Sequence, residues 1–293
     1  MDVAMKNKTV FCVIFICGLF FNSYSYAKSP VWKVSKDGHH LFIGGTIHLL
    51  TKADYPLPSA FDTAYNNSEL LVLEADLEKL KTPELQQEVI KKIMYSGGQD
   101  ISQHLKPETM KALQDHLASR GVPKESLNKL KPGMLSVTLT LIELQRLGLV
   151  GSGVDEFYSL KALNENRKIE HLETAIDQLD FLSTMGEGSE NELIEHTLSD
   201  LESMPTLLNT IKNAWKEGDI SELKRVASDP MKDRFPKIYD SLLVKRNNHW
   251  LPKIEKMVET EEVELVLFGA LHLVGESGIL SQLKAHGYKI ENQ

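Results

Sequence analysis

Two six-residue phrases decide how this chain is read: GTIHLL at 45–50 and GALHLV at 269–274. Each follows a short apolar run, LFIG at 41–44 or LVLF at 265–268, and each sets a histidine, His48 or His272, three residues after a glycine, Gly45 or Gly269. Short continuous apolar runs of this kind are the pattern of buried strands. A glycine at the strand end permits a sharp turn and a close backbone approach. The same strand-turn-histidine phrase therefore stands near both ends of the chain.

Working outward, VWKVSKDGHHLFIGG at 31–45 reads as two strands joined at Asp37-Gly38, a strong hairpin signal. ELLVLEADL at 69–77 is a further buried strand with Glu74 at its end, and RKIEHLE at 167–173 is another, ending at Glu173. Between about 82 and 148 the pattern becomes helical, in three segments that each open near a proline and are followed by glycine. TAIDQLDFL begins a helix with Thr174 as N-cap and Asp177 in its first turn. Charged amphipathic segments fill about 190–260, including FPKIYDSLLVKRNNHWLPKIEKMVE, which Pro252 is expected to kink or divide. The chain closes with strand VELVLFGA, helix GILSQLKAHG and strand YKIEN.

Strands of this kind cannot hide their apolar faces separately. The expected fold is accordingly α/β (α+β), with a central mixed β-sheet built from N- and C-terminal strands and a large helical middle region, about 82–148 and 190–260. The two phrases, far apart in sequence, should be neighbours in space. The helical middle is expected to roof the cleft between them.

The N-terminus predicts export. Lys6 and Lys8 form a positive region, VFCVIFICGLFF at 10–21 an apolar one, and SYA ending at Ala27 a cleavage signal. Residues 1–27 are thus expected to be a signal peptide, leaving 28–293 as one domain, periplasmic or secreted, with no stable membrane anchor after cleavage. Both cysteines, Cys12 and Cys17, fall inside that segment, so disulfides and thiolate ligands drop out of the mature chain. The net charge is −8, with Lys and Arg scattered rather than clustered, which argues against nucleic acid as a partner.

In an open α/β sheet, reactive groups gather beyond the carboxyl ends of the strands. His48, His272 and Glu74 occupy that kind of position. Two imidazoles and a carboxylate converging there form a usable site for a divalent metal, able to acidify a bound water and polarise a carbonyl. Each residue also has a structural reading: a turn histidine, or a solvated carboxylate at a strand end. His39, His40, His104, His116, His171, His196, His249 and His286 lack the repeated context and are read as structural. No H-E-x-x-H helix, G-x-S-x-G elbow or G-x-x-x-x-G-K-[ST] loop is present, and GSGVDE at 151–156 lacks the third glycine of a dinucleotide loop.

The paired motifs GTIH and GALH, with LVLEADL after the first and HLVGESGILSQLKAHGYKIE continuing the second, resemble the TraB/PrgY/GumN family, which includes the TIKI metalloproteases. GVDEFYSLKA at 153–162, HLETAIDQLDFL at 171–182 and KRNNHW at 245–250 extend the resemblance over the mature chain. It implies a fold like that of erythromycin-esterase-like and ChaN-like proteins, and a metal-dependent peptidase favouring manganese or cobalt, with zinc also accommodated, acting on a peptide or protein substrate. It points to His48, His272 and Glu74 as metal ligands, Glu74 alternatively as general base. It also marks Arg246, Glu173 and Asp155 as further catalytic-site residues. Arg246 would hold a substrate carboxylate or an oxyanion through its forked donors, or a helix-surface salt bridge. Asp155 and Glu173 would orient an imidazole, or simply charge a helix N-terminus and a strand end. A member of such a family that captures a peptide or small ligand without turnover is the alternative, and a metal-free esterase ranks below both for want of a nucleophilic serine.

Overall fold

In the computed structural model, which describes residues 28–76, 79 and 82–293, Asp37 and Gly38 both take positive φ, 52° and 93°. This is the primed two-residue turn an Asp-Gly pair favours. It joins strand β1 (Val31–Lys36) to β2 (His39–Thr46), with Trp32 opposite Ile43 and Val34 opposite Leu41. The expected signal peptide lies outside the described residues.

After β2 come a two-residue strand β3 (Leu49–Leu50), helix α1 (Ser59–Asn66) and strand β4 (Leu70–Leu73). Helices α2 (Pro83–Ile93), α3 (Pro107–Ser119) and α4 (Pro132–Arg146) follow, each started by a proline whose missing N–H costs nothing there. Then come β5 (Gly151–Ser152), α5 (Val154–Asn164), β6 (Ile169–His171), α6 (Ala175–Thr184) and the long α7 (Glu190–Lys216). Thr174 caps α6 in a reciprocal pair with Asp177. Short helices α8 (Ile220–Leu223), α9 (Asp229–Arg234) and α10 (Pro236–Tyr239) lead to α11 (Lys245–Val258), with π-helical turns at Lys224–Ser228 and Asp240–Val244. Strand β7 (Glu264–Gly269), helix α12 (Ile279–Ala285) and strand β8 (Lys289–Asn292) complete the chain.

Six strands form one mixed sheet in the order β6-β4-β7-β2-β1-β8. The four strands β6, β4, β7 and β2 run parallel, and β1 alone runs the other way, antiparallel to both its neighbours β2 and β8. β3 and β5 make a separate antiparallel pair. Strands β4 and β7 lie inside the sheet, and alternation sends their side chains to opposite faces. Leu71, Leu73, Leu265 and Leu267 join a core with Phe61 and Tyr65 of α1, Tyr158 of α5 and Trp215 of α7. Leu70, Val72, Val266 and Phe268 join another with Trp250 and Ile254 of α11 and Leu283 of α12. Helices α3, α4 and α7 share a third core of their own, around Leu113, Leu135, Leu139 and Ile194. The mixed sheet from both chain ends and the helical middle agree with expectation.

Pro252 does not divide its helix. Helix α11 runs unbroken from Lys245 through Pro252 to Val258. Both Pro252 and Asn248, whose carbonyl the proline ring leaves without its helical donor, are exposed, so water can satisfy that carbonyl. The break falls instead at Phe235, just before Pro236, in a conformation (φ −137°, ψ 60°) outside the helical region.

Candidate functional site

The carboxyl ends of the parallel strands supply the site in spatial order. Glu173 follows β6, Glu74 follows β4, Gly269 closes β7 with His272 one turn on, and His48 follows β2. The turn of the second phrase aims the Gly269 N–H at Glu74 Oε1, at 2.7 Å. The two phrases are neighbours: β2 and β7 pair in register, Gly45 opposite Phe268 and Thr46 opposite Gly269.

Asp155 arrives from the other direction. Helix α5 starts at Gly153, whose missing side chain lets it come down on the first phrase. A Cβ there would lie 2.4 Å from the His48 carbonyl carbon. Val154 N–H donates to the Ile47 carbonyl at 3.1 Å. Asp155, in the first turn, thereby meets His48 Nδ1 at 3.1 Å. The carboxylate raises the His48 pKa to about 9 and fixes Nδ1 as the protonated nitrogen, so Nε2 faces the cleft. The His48 side chain is 63% exposed.

His272 is the opposite case, buried and tilted against the Trp250 ring at 4.5 Å. Asn247 donates its amide N–H groups to the carbonyls of His272 and Ser277, so its Oδ1 is the acceptor left for His272 Nδ1 at 2.6 Å. That sets the tautomer, and Nε2 carries the lone pair. Burial holds the imidazole neutral, with its pKa lowered to about 3.

Arg246 ties the groups together. The π turn at Asp240–Val244 immediately precedes it and resets which face of α11 looks inward. Its guanidinium donates to Glu74 Oε2 and to both oxygens of Glu173, stacks 4.4 Å above the Trp250 ring, and approaches His272 Nε2 at 3.2 Å. Trp250 Nε1 donates to Glu173 Oε2 at 3.1 Å. Burial would raise the Glu74 pKa, but Arg246, the two histidines and the Gly269 N–H hold it down to about 2. All six residues singled out in the sequence, His48, Glu74, Asp155, Glu173, Arg246 and His272, thus belong to one connected cluster.

An imagined Cβ on Gly269 would lie 3.5 Å from Glu74 Oε1, 3.6 Å from His48 Nε2 and 3.7 Å from His272 Cδ2. The three side chains therefore surround one small space that only a glycine leaves open. Both histidines have Nδ1 anchored by a neighbour, the usual support for a metal-ligating imidazole; a metal would take Nε2 of each, displacing the proton of His48 and the Arg246 contact of His272. The donor set fits a divalent ion in identity and tautomer. The Arg246 guanidinium is the cation that satisfies Glu74 and His272 in this arrangement, and among the described residues no three His, Cys, Asp or Glu groups stand at metal-holding distance.

The cluster is the floor of a cavity of about 630 Å³. Helices α4, α6 and α7, the turn at Lys224–Ser228 and the start of α11 enclose it, so the helical middle does cover the cleft. Its walls are largely aliphatic. Sequence reasoning missed four residues of this site. Asn247, within KRNNHW, is the lone amide on a buried face with Trp250, Leu251, Ile254 and Val258, the signal that could have found it. Thr46 and Gln178 line the cavity with Thr46 Oγ1 and Gln178 Oε1 buried and unpartnered. His196, read as structural, stands in the wall, stacked on Phe235 at 4.1 Å.

Compared with known proteins, residues 30–292 match the model of a family described as the TraB/PrgY/gumN family. Comparison with curated proteins and with solved structures finds no match.

Proposed function

The chain belongs to the TraB/PrgY/gumN family, and from that premise we propose that it is an exported, periplasmic or secreted, metal-dependent hydrolase cleaving amide bonds of a peptide or protein substrate. One observation carries the reading: Glu74, His48 and His272 close around a single open point above Gly269, with both imidazoles anchored through Nδ1. A divalent ion bound there, manganese or cobalt by resemblance and zinc by ligand type, supplies Lewis acidity toward a carbonyl and lowers the pKa of water.

The chain's own groups do the rest. His48 Nε2, His272 Nε2 and Glu74 present the donors; Asp155 and Asn247 hold the rings. Arg246 turns from Glu74 and His272 toward the substrate, where its forked donors hold an oxyanion or a terminal carboxylate. Glu173 keeps the Trp250 indole bond and remains the anchor to which Arg246 stays tethered. With Glu74 as ligand, Asp155 or Glu173 is the carboxylate available to take a proton. The helical roof shields the Glu74 and His272 side of the floor, while His48 stays open to solvent.

The Arg246 contact with His272 Nε2 also favours a second reading, capture of a peptide or small ligand in the cleft without turnover. Metal titration calorimetry with manganese, cobalt and zinc, beside a peptide-library digest with and without chelator, separates them. Saturable binding of about one ion per chain and chelator-sensitive cleavage are expected, both lost in His48→Ala and His272→Ala. Ligand binding that survives chelation, with no cleavage, would overturn the hydrolase reading.

A further inference from the structure

We propose that the cavity takes an unbranched aliphatic chain, so that the molecule held over the two histidines is an acylated one, its polar end on the floor and its hydrocarbon tail under the helical roof. This rests on the reading of the floor as an amide-cleaving centre and names what lies on one side of the bond.

The distribution of polar atoms carries the inference. Above the floor the lining is mostly hydrocarbon, as at Val137 and Leu144 of α4, Met185 after α6, Leu208 of α7 and Leu242 beside α10; its polar members are engaged, Thr140 with the Ser136 carbonyl, Asp200 with His196 and Lys212 with Asp54. The hydroxyls of Ser136 and Thr197 in that wall are already bonded to one another at 2.5 Å, and Thr197 also donates to the Leu193 carbonyl. An extended peptide carries an N–H and a C=O at every residue, each of which loses its water on entering such a space and finds no partner there. A methylene chain has no such groups. The volume of about 630 Å³ is that of a pocket for one small ligand.

Two unpartnered polar atoms stand where a head group would be; in the wall, His196 Nδ1 lacks a hydrogen bond but lies 3.3 Å from Asp200 Oδ1. Thr46 is 2% exposed and its Oγ1 has no partner; Gln178 Oε1 has none either. The Gln178 amide is oriented by its Nε2, which faces Glu74 Oε2 at 3.5 Å, so its oxygen is left as an acceptor. A head group with an N–H or O–H donor satisfies both. The apolar wall also reaches the surface: Leu141 lines the cavity and is 42% exposed, and Val150, which follows the cavity residue Leu149, is 74% exposed. A tail can enter there without crossing a polar rim.

The test is displacement of 11-(dansylamino)undecanoate fluorescence from the purified protein by straight-chain alkanoates of increasing length, with an uncharged Leu/Ala octapeptide as the competing chemistry. Affinity should rise about fourfold per methylene until the tail fills the cavity. Leu144→Trp and Leu208→Trp, from different walls and checked for native circular dichroism, should each weaken the longest alkanoate at least tenfold. Length-independent binding, displacement by the octapeptide but not by the alkanoates, or unchanged affinity in both folded variants would overturn the proposal. The two readings fail separately. A length-dependent series that persists in chelator without any hydrolysis sinks the hydrolase and leaves the chain-binding cavity standing, while cleavage of short peptides without that series does the reverse.

Discussion

Arg246 Nη1 lies 3.2 Å from His272 Nε2, on the lone pair that Asn247 leaves free. The divalent ion proposed for this site would therefore compete with the guanidinium for the same donors. Replacing Arg246 by Ala leaves Glu74 and Glu173, both nearly buried, without their cation, a loss of about 3–5 kcal/mol of stability in metal-free solution. Manganese should restore part of that and raise the variant's melting temperature more than the wild type's. Equal shifts in thermal scans would show that arginine and metal do not share the site.

Gly269 and Gly45 occupy equivalent places in the two phrases and should respond oppositely to alanine. At Gly45 a Cβ would lie 2.7 Å from Leu273 Cδ1 and 3.2 Å from the Ala270 Cα, so Gly45→Ala should cost about 1–3 kcal/mol. Gly269 has φ −50° and ψ 132°, open to any residue, with no contact under 3.5 Å. Gly269→Ala should fold with unchanged or slightly raised stability yet lose metal binding and turnover, because its methyl fills the space between Glu74, His48 and His272. Calorimetry beside thermal unfolding checks both.

The two histidines should also separate. His48 is 63% exposed, and His48→Ala should alter stability by no more than about 0.5 kcal/mol. His272 is 4% exposed, packed on Trp250 and bonded to Asn247, so His272→Ala should cost about 1–3 kcal/mol through the stranded amide and the void. Metal binding should vanish in both. Retained binding in either would remove that histidine from the ligand set.

Away from the site, Glu264 at the start of β7 is 2% exposed, and burial lifts its pKa from 4.5 to about 7. A raised folded-state pKa favours folding while the group is protonated. This contribution is complete below about 4.5 and is lost as pH rises through about 7. Glu264→Gln should match the wild type near pH 4.5 and exceed it at pH 8 by up to about 3 kcal/mol, read from denaturant midpoints. A constant difference across that range would mean the carboxyl is not titrating in the folded protein.

The local signals proved legible where one residue type forces one geometry. Asp37-Gly38 dictates its turn, the apolar runs of β4 and β7 dictate burial, and Thr174 with Asp177 dictates the start of α6. The convergence of both G-x-x-H phrases followed from the need of separate strands for a shared sheet. What could not be read depends on packing across the chain. Nothing local to Asn247 says that its amide will face a histidine 25 residues on, and nothing local to Thr46 or Gln178 says that a cavity leaves them unpartnered. That Pro252 does not divide its helix could not be read either, because the outcome turns on whether the freed carbonyl meets solvent or core, a property of the neighbours rather than of the proline.

The pairing of β2 with β7 has a temporal meaning as well. His48 is made well before His272, with some two hundred residues between them. Contacts so distant form late. A nascent chain therefore carries the first imidazole but lacks the backbone N–H that holds Glu74, the second imidazole, and the Arg246 that neutralises the carboxylates. Any reactivity of the centre is withheld until β7 and the turn beyond it have been made, and the connectivity of the sheet itself serves as the delay that other proteins obtain from a removable inhibitory segment.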